Sequence, residues 1–377
     1  MSVKVLYASH SYDYPSGWGT SAVNYVLAMN SVGIDVVPRA VKLNNKQPQL
    51  PKEYIDLEEK STEGCDIVIQ HLLPHHLKFS GNFKRNIALC AYENEGNWLH
   101  NWNAKINMMD ELWVPSTFSK RIFENSGITV PIKVVPHAFD LAKYENVEKI
   151  RHDELQSNYL FYTIADMNKR KNLIKTIQAF HLAFTPNEPV RLVIKCGKSG
   201  VDANTLFEGI KAECTKVKEC MKLYRLPELY HSEYLITTEL SEAEILQLHA
   251  TGNAYVNTSH SECFNIPLFE AVAMGKQIVC PGAEINSNNF MYDFIPNHAE
   301  TFPIYRDACF DCRDTFWEIS SSRESWYECN AHDVAKCMRK VYEKRNSFNK
   351  KQNSLIAQKY SYQAVGEQIK GMLCQAR

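Results

Sequence analysis

At 377 residues the chain is longer than one ordinary hydrophobic core supports, and two domains are expected. Apolar residues at 45% and charged residues at 23% are the proportions of a soluble globular protein. A formal net charge of −1 offers no basic field for nucleic acid, and no apolar run approaches the roughly 18 residues that a membrane span needs.

The N-terminus, Met1-Ser2-Val3-Lys4-Val5-Leu6-Tyr7-Ala8, is too short and too polar for a secretion signal and reads as a first strand. Twelve cysteines without such a signal are expected as free thiols in a reducing compartment, so the expected localisation is cytoplasmic. The glycine-bearing loop Ser16-Gly17-Trp18-Gly19-Thr20-Ser21 follows. An amphipathic helix then offers Val23, Tyr25, Val26, Met29 and Val32 as its apolar side, and it closes at Gly33 before a strand built on Ile34, Val36 and Val37. This is a β-α-β opening, and a lone Gly-Trp-Gly does no more by itself than permit a tight turn. Residues 40–62 are polar and lysine-rich and predict only surface segments. Residues 65–70 form a buried strand, and His71, His75 and His76 read as polar residues of the loop after it. Residues 86–90 form another strand, ending at Tyr92-Glu93-Asn94-Glu95. A helical stretch, a strand at 111–115 and a helix opening at Ser116 come next.

Residues 141–157 are charged, lack strand pattern and read as an interdomain linker. Strand and helix then alternate again. The strand 159–165 runs into Asp166-Met167-Asn168-Lys169-Arg170-Lys171-Asn172, and the following helix carries Ile174, Ile177, Phe180 and Phe184 along one side. Cations at such a turn neutralise a diphosphate or simply form a solvated basic loop. A strand at 190–196, a helix over 203–222, a strand at 234–238, a helix through Leu248 and a strand at 253–257 lead to the most informative stretch. It reads Ser259-His260-Ser261-Glu262-Cys263-Phe264-Asn265-Ile266-Pro267-Leu268-Phe269-Glu270-Ala271-Val272-Ala273-Met274-Gly275. Proline suits a first helical turn and glycine a position just past the end, so a polar loop here is aimed at a helix N-terminus, where free N–H groups and partial positive charge collect. Phosphate would repel Glu262 and Glu270. Two carboxylates there suit sugar hydroxyls beside a phosphate, or else a cap-region glutamate and a solvated helix glutamate. Residues 277–282 give the last clear parallel strand, and helices near 331–345 and 359–374 close the chain. Cys309-x2-Cys312 with Cys329-x2-His332 has the spacing of a structural zinc site, but His332-Asp333 is also an ordinary helix start, and unlinked residues are the preferred reading.

In its setting of strand, Glu-Cys-Phe-Asn-Ile-Pro loop and helix, the Glu262-x7-Glu270 pair resembles the signature of the family 4 glycosyltransferases. Trp113-Val114-Pro115-Ser116-x-Phe118 and Val135-Pro136-His137-x-x-Asp140 are a second match to that family. The resemblance covers nearly the whole chain and is weakest at 40–62 and 283–330. It implies an α/β protein of GT-B architecture, with two Rossmann-like doubly wound parallel-sheet domains facing a cleft. Residues 1–150 would form the acceptor side and residues 158–345 the donor side, with a final helix at about 359–377 packing back on the first domain. The implied activity is retaining transfer of a hexose from a nucleoside-diphosphate sugar to a glycan or other hydroxyl acceptor, with GDP-mannose ranked first and UDP-sugars second.

By the same resemblance Gly17, Trp18 and Gly19 lie beside the donor's diphosphate or sugar. Glu262, Phe264 and Asn265 meet the transferred sugar, Ile266, Pro267 and Leu268 complete the donor loop, and Glu270 meets the ribose. Lys171 and Arg170 face the leaving diphosphate, and Glu93 and Glu95 are acceptor-side candidates. The position where the family carries an arginine, six residues before Lys171, holds Ala165. Either Arg170 or Lys169 substitutes, or the chain is a weakened nucleotide-sugar-binding protein of the same fold. No Asp-x-Asp occurs, so no divalent metal and no other cofactor is expected. An inverting enzyme would instead need a base near Glu93 or His100. A dinucleotide oxidoreductase is a third reading, but the third spaced glycine of its fingerprint is missing. The sequence does not fix the oligomeric state.

Overall fold

A computed structural model describes residues 3–43, 45, 47–96, 98, 101–288, 290–308, 323–346 and 351–374. His100, Cys309 and Cys312 lie outside the described residues. The chain divides into two units, one of Met1–Ala142 with Ala357–Arg377 and one of Lys143–Ile356.

The first unit alternates strand and helix: β1 (Lys4–Ser9), α1 (Gly17–Ser31), β2 (Asp35–Ala40), α2 (Lys52–Glu58), β3 (Ile67–His71), β4 (Arg85–Leu89), β5 (Glu95–Gly96), α3 (Trp102–Asn107), β6 (Glu111–Val114), α4 (Thr117–Asn125) and β7 (Ile132–Val134). Its sheet runs β2-β1-β3-β4-β6-β7, with every pairing parallel. Parallel strands covered on both faces read as continuous apolar runs, and all five residues of β3 are buried. The expected apolar side of α1 is the buried one: Val23, Tyr25, Val26, Met29 and Val32 all belong to the core. Expectations fail in this unit at residues 40–62 and at His71. Residues 40–62 are not only surface segments, since α2 buries Tyr54 and Leu57. His71 is not a loop residue; it ends β3 in register with Ser9 of β1 and Leu89 of β4, fully buried.

The helix Tyr362–Cys374 belongs to this unit, and its Gly366 lies against α1. A Cβ at Gly366 would stand 2.3 Å from the carbonyl oxygen of Ala28, a backbone atom that has no rotamer to adopt. Glycine in a helix interior costs about 1 kcal/mol relative to alanine, so its presence marks a contact that requires it. Gly366→Ala is therefore expected to lose about 1–3 kcal/mol net despite the better helix propensity. Thermal melting checks the sign: a raised Tm would show that the two helices can separate at no cost.

The second unit contains α5 (Asp153–Gln156), β8 (Tyr159–Asp166), α6 (Leu173–Ala183), β9 (Val190–Gly197), α7 (Ala203–Met221), β10 (Tyr234–Ile236), α8 (Glu242–Thr251), β11 (Ala254–Val256), α9 (Ile266–Ala273), β12 (Gln277–Glu284), β13 (Glu300–Ala308), β14 (Glu324–Cys329) and α10 (Ala331–Glu343). Its strands lie in the order β10-β9-β8-β11-β12-β13-β14. All these pairs are parallel except β13 with β14. The strand at 277–282 is therefore not the last parallel one, because β13 adds to its edge in parallel before the chain turns back. Ile174 also departs from the expected stripe at 43% exposure; α6 begins at Leu173, which joins Ile177 and Phe180 on the buried side. Among the described residues no helix is long and apolar enough to cross a membrane.

Candidate functional site

Two turns at the carboxyl ends of adjacent parallel strands, β8 and β11, build the site in the second unit. After β8, Asn168 accepts a hydrogen bond from the Lys171 amide at 3.1 Å and so caps the single 3-10 turn Lys169–Lys171, while Asn172 takes a left-handed conformation at φ 51°. Asparagine tolerates that region because its short side chain bonds locally. After β11, residues 257–262 are all buried. Their polar groups are satisfied mainly by the first turn and by β14. Thr258 Oγ1 donates to the Asn172 carbonyl at 2.9 Å, the His260 amide donates to the Arg170 carbonyl at 2.8 Å, and the Tyr327 amide donates to the His260 carbonyl at 2.9 Å. The His260 ring stacks on Trp326 at 4.3 Å and 16°.

This stitching brings Glu262, Arg170 and Lys171 together. Arg170 Nη1 donates to Glu262 Oε2 and to the Ser261 carbonyl, each at 2.8 Å, and Lys171 Nζ donates to Glu262 Oε1 at 2.6 Å. Glu262 is 4% exposed and Arg170 7%. Burial alone would push the Glu262 carboxyl up, but the Arg170 and Lys171 charges outweigh it and hold the group at about 2. Two cations against one carboxylate leave the cluster one positive charge in surplus. Lys169 is exposed.

The loop then enters α9 through Asn265, whose φ of 72° is left-handed and whose side chain accepts from the Leu268 amide at 3.1 Å. Pro267 has no N–H and the Leu268 amide is capped, so this helix start presents few free amides and the cationic cluster is the stronger anion-directed feature. Ile266 begins the helix, and Phe264 packs its ring 5.0 Å from Phe294, in the core rather than at the surface. Glu270, one turn on, keeps 14% of its side chain exposed and lies 3.3 Å from His249 Nε2. Ala165 sits near the end of β8.

The first unit holds the other sequence candidates. Gly17, Trp18 and Gly19 are not a loop: they form the first turn of α1, where Ser16 accepts from the Gly19 amide at 3.2 Å. The Trp18 ring lies 5.1 Å from that of His71, whose Nδ1 is 2.9 Å from the Tyr7 hydroxyl. Burial holds the His71 imidazole well below its ordinary range, so it is neutral. Glu93 and Glu95 are both buried, and Glu95 Oε1 accepts from Asn125 Nδ2 at 3.2 Å. The His249 and His71 contacts are absent from the sequence reading, and the only signal for them was a histidine inside an apolar pattern. Of the proposed zinc set, Cys329 is buried and His332 is exposed on α10. Among the described residues no group of three or more His, Cys, Asp and Glu side chains is arranged to hold a metal ion.

No family model matches this chain, and no curated protein matches it. Solved structures do. Anabaena Alr3699/HepE in complex with UDP and glucose is similar with a TM-score of 0.61 at 12% identity, over 98% of this chain and 99% of that one. The E. coli trehalose-6-phosphate structure bound with UDP-2-fluoro glucose gives a TM-score of 0.62 at 12% identity over 99% of each chain. Sucrose-phosphate synthase from Thermosynechococcus elongatus gives 0.62 at 12% identity over 98% of each. Likeness at this level of identity establishes the fold, which is the GT-B architecture of doubly wound parallel sheets.

Proposed function

We propose that the chain is a glycosyltransferase that takes a hexose from a nucleoside-diphosphate sugar and passes it to a hydroxyl acceptor. The observation that carries this reading is the Arg170–Glu262–Lys171 cluster with its surplus positive charge, set at two strand ends of a GT-B sheet. Breaking the sugar–phosphate bond leaves negative charge on the diphosphate, and fixed cations in a dehydrated site stabilise that charge as it develops. A carboxylate has about four acceptor positions; the two cations fill one on each oxygen of Glu262, and the others are open to sugar hydroxyls. Arg170 brings its guanidinium to the cluster from within the turn, which supports transfer rather than binding alone in spite of Ala165. By the same resemblance Gly17, Trp18 and Gly19 are donor-binding candidates, and Glu93 and Glu95 acceptor candidates. The resemblance of Glu262-x7-Glu270 to the family 4 signature supports retention of configuration and a metal-free reaction.

Several of the similar structures hold UDP or a UDP-sugar, which supports a UDP-hexose as donor and places GDP-mannose second. Calorimetric titration with UDP-glucose, UDP-N-acetylglucosamine, GDP-mannose and NAD tests the reading. One nucleotide sugar is expected to bind, and Glu270→Ala to weaken it at least about tenfold, the worth of a hydrogen bond to a charged group. Binding of NAD alone, or of nothing, overturns it.

A further inference from the structure

Lys195 stands two residues before the carboxyl end of β9, in register with Ile164 of β8 and Ile236 of β10, and is only 8% exposed. A buried charge is costly unless it is paired. Lys218, equally buried, follows that rule by donating to Glu233 at 2.8 Å and to the His231 carbonyl at 2.9 Å. Lys195 does not. Among the described residues its ammonium meets only the Cys196 carbonyl, at 3.3 Å, which leaves two of its three donors unused. Burial lowers this ammonium from its ordinary value, and the carboxylates of Asp166, at the end of β8, and Glu239, beyond β10, act against that without forming an ion pair with it. The group thus lies among the carboxyl ends of three parallel strands, the edge at which open α/β sheets bind ligands. We propose that Lys195 is a specificity-determining residue that donates to the keto oxygen of the donor's base, O4 of uracil or O6 of guanine. This rests on the donor-site reading above.

Charge decides between the phosphates and the base. The Arg170–Glu262–Lys171 cluster has one positive charge in surplus and suits the diphosphate. Around Lys195 the balance is reversed: the charged neighbours that act on it are both carboxylates, and two of them against one ammonium leave a surplus of one negative charge. A phosphate is repelled there and a neutral acceptor is not. The ammonium only donates, so the ligand atom it takes must carry a lone pair. Neighbouring strands lie about 5 Å apart, and β9 is the strand next to β8 on the side away from β11. A nucleotide held by its diphosphate at β8 and β11 can therefore bring its base over β9, with the edge farthest from the ribose reaching deepest. That edge carries O4 in uracil and O6 in guanine, but an amino group in cytosine and adenine. An ammonium against an amino group sets donor against donor and leaves both unpaired, so this one contact separates keto bases from amino bases.

The test compares UDP with CDP, and GDP with ADP, by calorimetry on the full chain. The wild type is expected to prefer the keto member of the pair it binds by at least about tenfold. Lys195→Met keeps the apolar stem and removes the charge. It should weaken the keto nucleotide by at least about tenfold and leave the amino one unchanged or tighter, so that the preference disappears. Lys195→Gln, whose amide both donates and accepts, should narrow the preference without abolishing binding. Thermal melting reads the structural alternative: replacing an unpaired buried charge by methionine should hold or raise Tm, whereas a lysine that the fold needs would lower it. Equal affinity of the wild type for both members of a pair, an unchanged preference in folded variants, or equal loss for keto and amino nucleotides overturns the assignment and leaves the donor site in place. If the wild type binds none of the four nucleotides, the donor-site reading falls and the role of Lys195 with it.

Discussion

Truncating Glu262 to alanine is expected to destabilise the Lys143–Ile356 unit by about 3–5 kcal/mol, the cost of removing one partner from a buried ion pair. Arg170, 7% exposed, would lose its carboxylate partner, and the neighbouring ammonium of Lys171 would lose its counter-charge. Glu262→Gln keeps an acceptor and the side-chain volume and should lose less. The same pair makes the wild type sensitive to acid. The folded carboxyl sits at about 2 against an ordinary value of 4.5. Its stabilisation is therefore fully present above about pH 4.5 and lost as pH falls through the folded value near 2. The difference of 2.5 pH units corresponds to about 3 kcal/mol. Urea denaturation at pH 7, 5 and 3 should show a steeper acid loss in wild type than in either variant. Equal slopes would mean that the buried pair contributes nothing to the pH dependence.

The cluster itself shows why the sequence reveals parts more readily than pairings. Glu262 and its motif are legible because Pro267 and Gly275 punctuate a helix and an apolar strand precedes it. Arg170 and Lys171 are legible as cations at a strand-to-helix turn. That they close on Glu262 depends on β8 and β11 lying side by side, which joins residues 92 and 91 positions apart. Single-sequence periodicity carries no such information. Local burial misleads in the same way. The segment 52–58 is only seven residues long and leaves Ile55 exposed, so the two buried side chains that seat α2, Tyr54 and Leu57, are too few to stand out as a periodic pattern. Phe264 stands in a loop motif, yet its ring joins Phe269 and Phe294 in the core. His249 lies on the buried side of α8 and passes for a packed residue until its Nδ1 is traced to the Tyr162 hydroxyl. The β-α-β order survives all of this because buried parallel strands are apolar throughout, whatever their neighbours.

Lys171→Met is expected to lower the rate of sugar transfer by about 10²–10³, the loss typical of one fixed donor to a developing charge, while nucleotide-sugar binding weakens less. With Lys171 in place the cluster carries a surplus of one positive charge. With methionine, Arg170 and Glu262 form a neutral pair whose guanidinium is already bound to a carboxylate and a backbone carbonyl. Lys169, the remaining cation of this turn, is exposed. The ground state loses one contact, whereas the departing diphosphate loses the charge that grows in importance as the bond breaks, so the effect falls on kcat more than on KM. Initial rates with the nucleotide sugar found by calorimetry, alongside Tm, decide the matter. A fall in kcat with little change in Tm places Lys171 at the leaving group. If kcat stays within about threefold, the surplus charge is not used in transfer, and Lys171 serves only to hold Glu262.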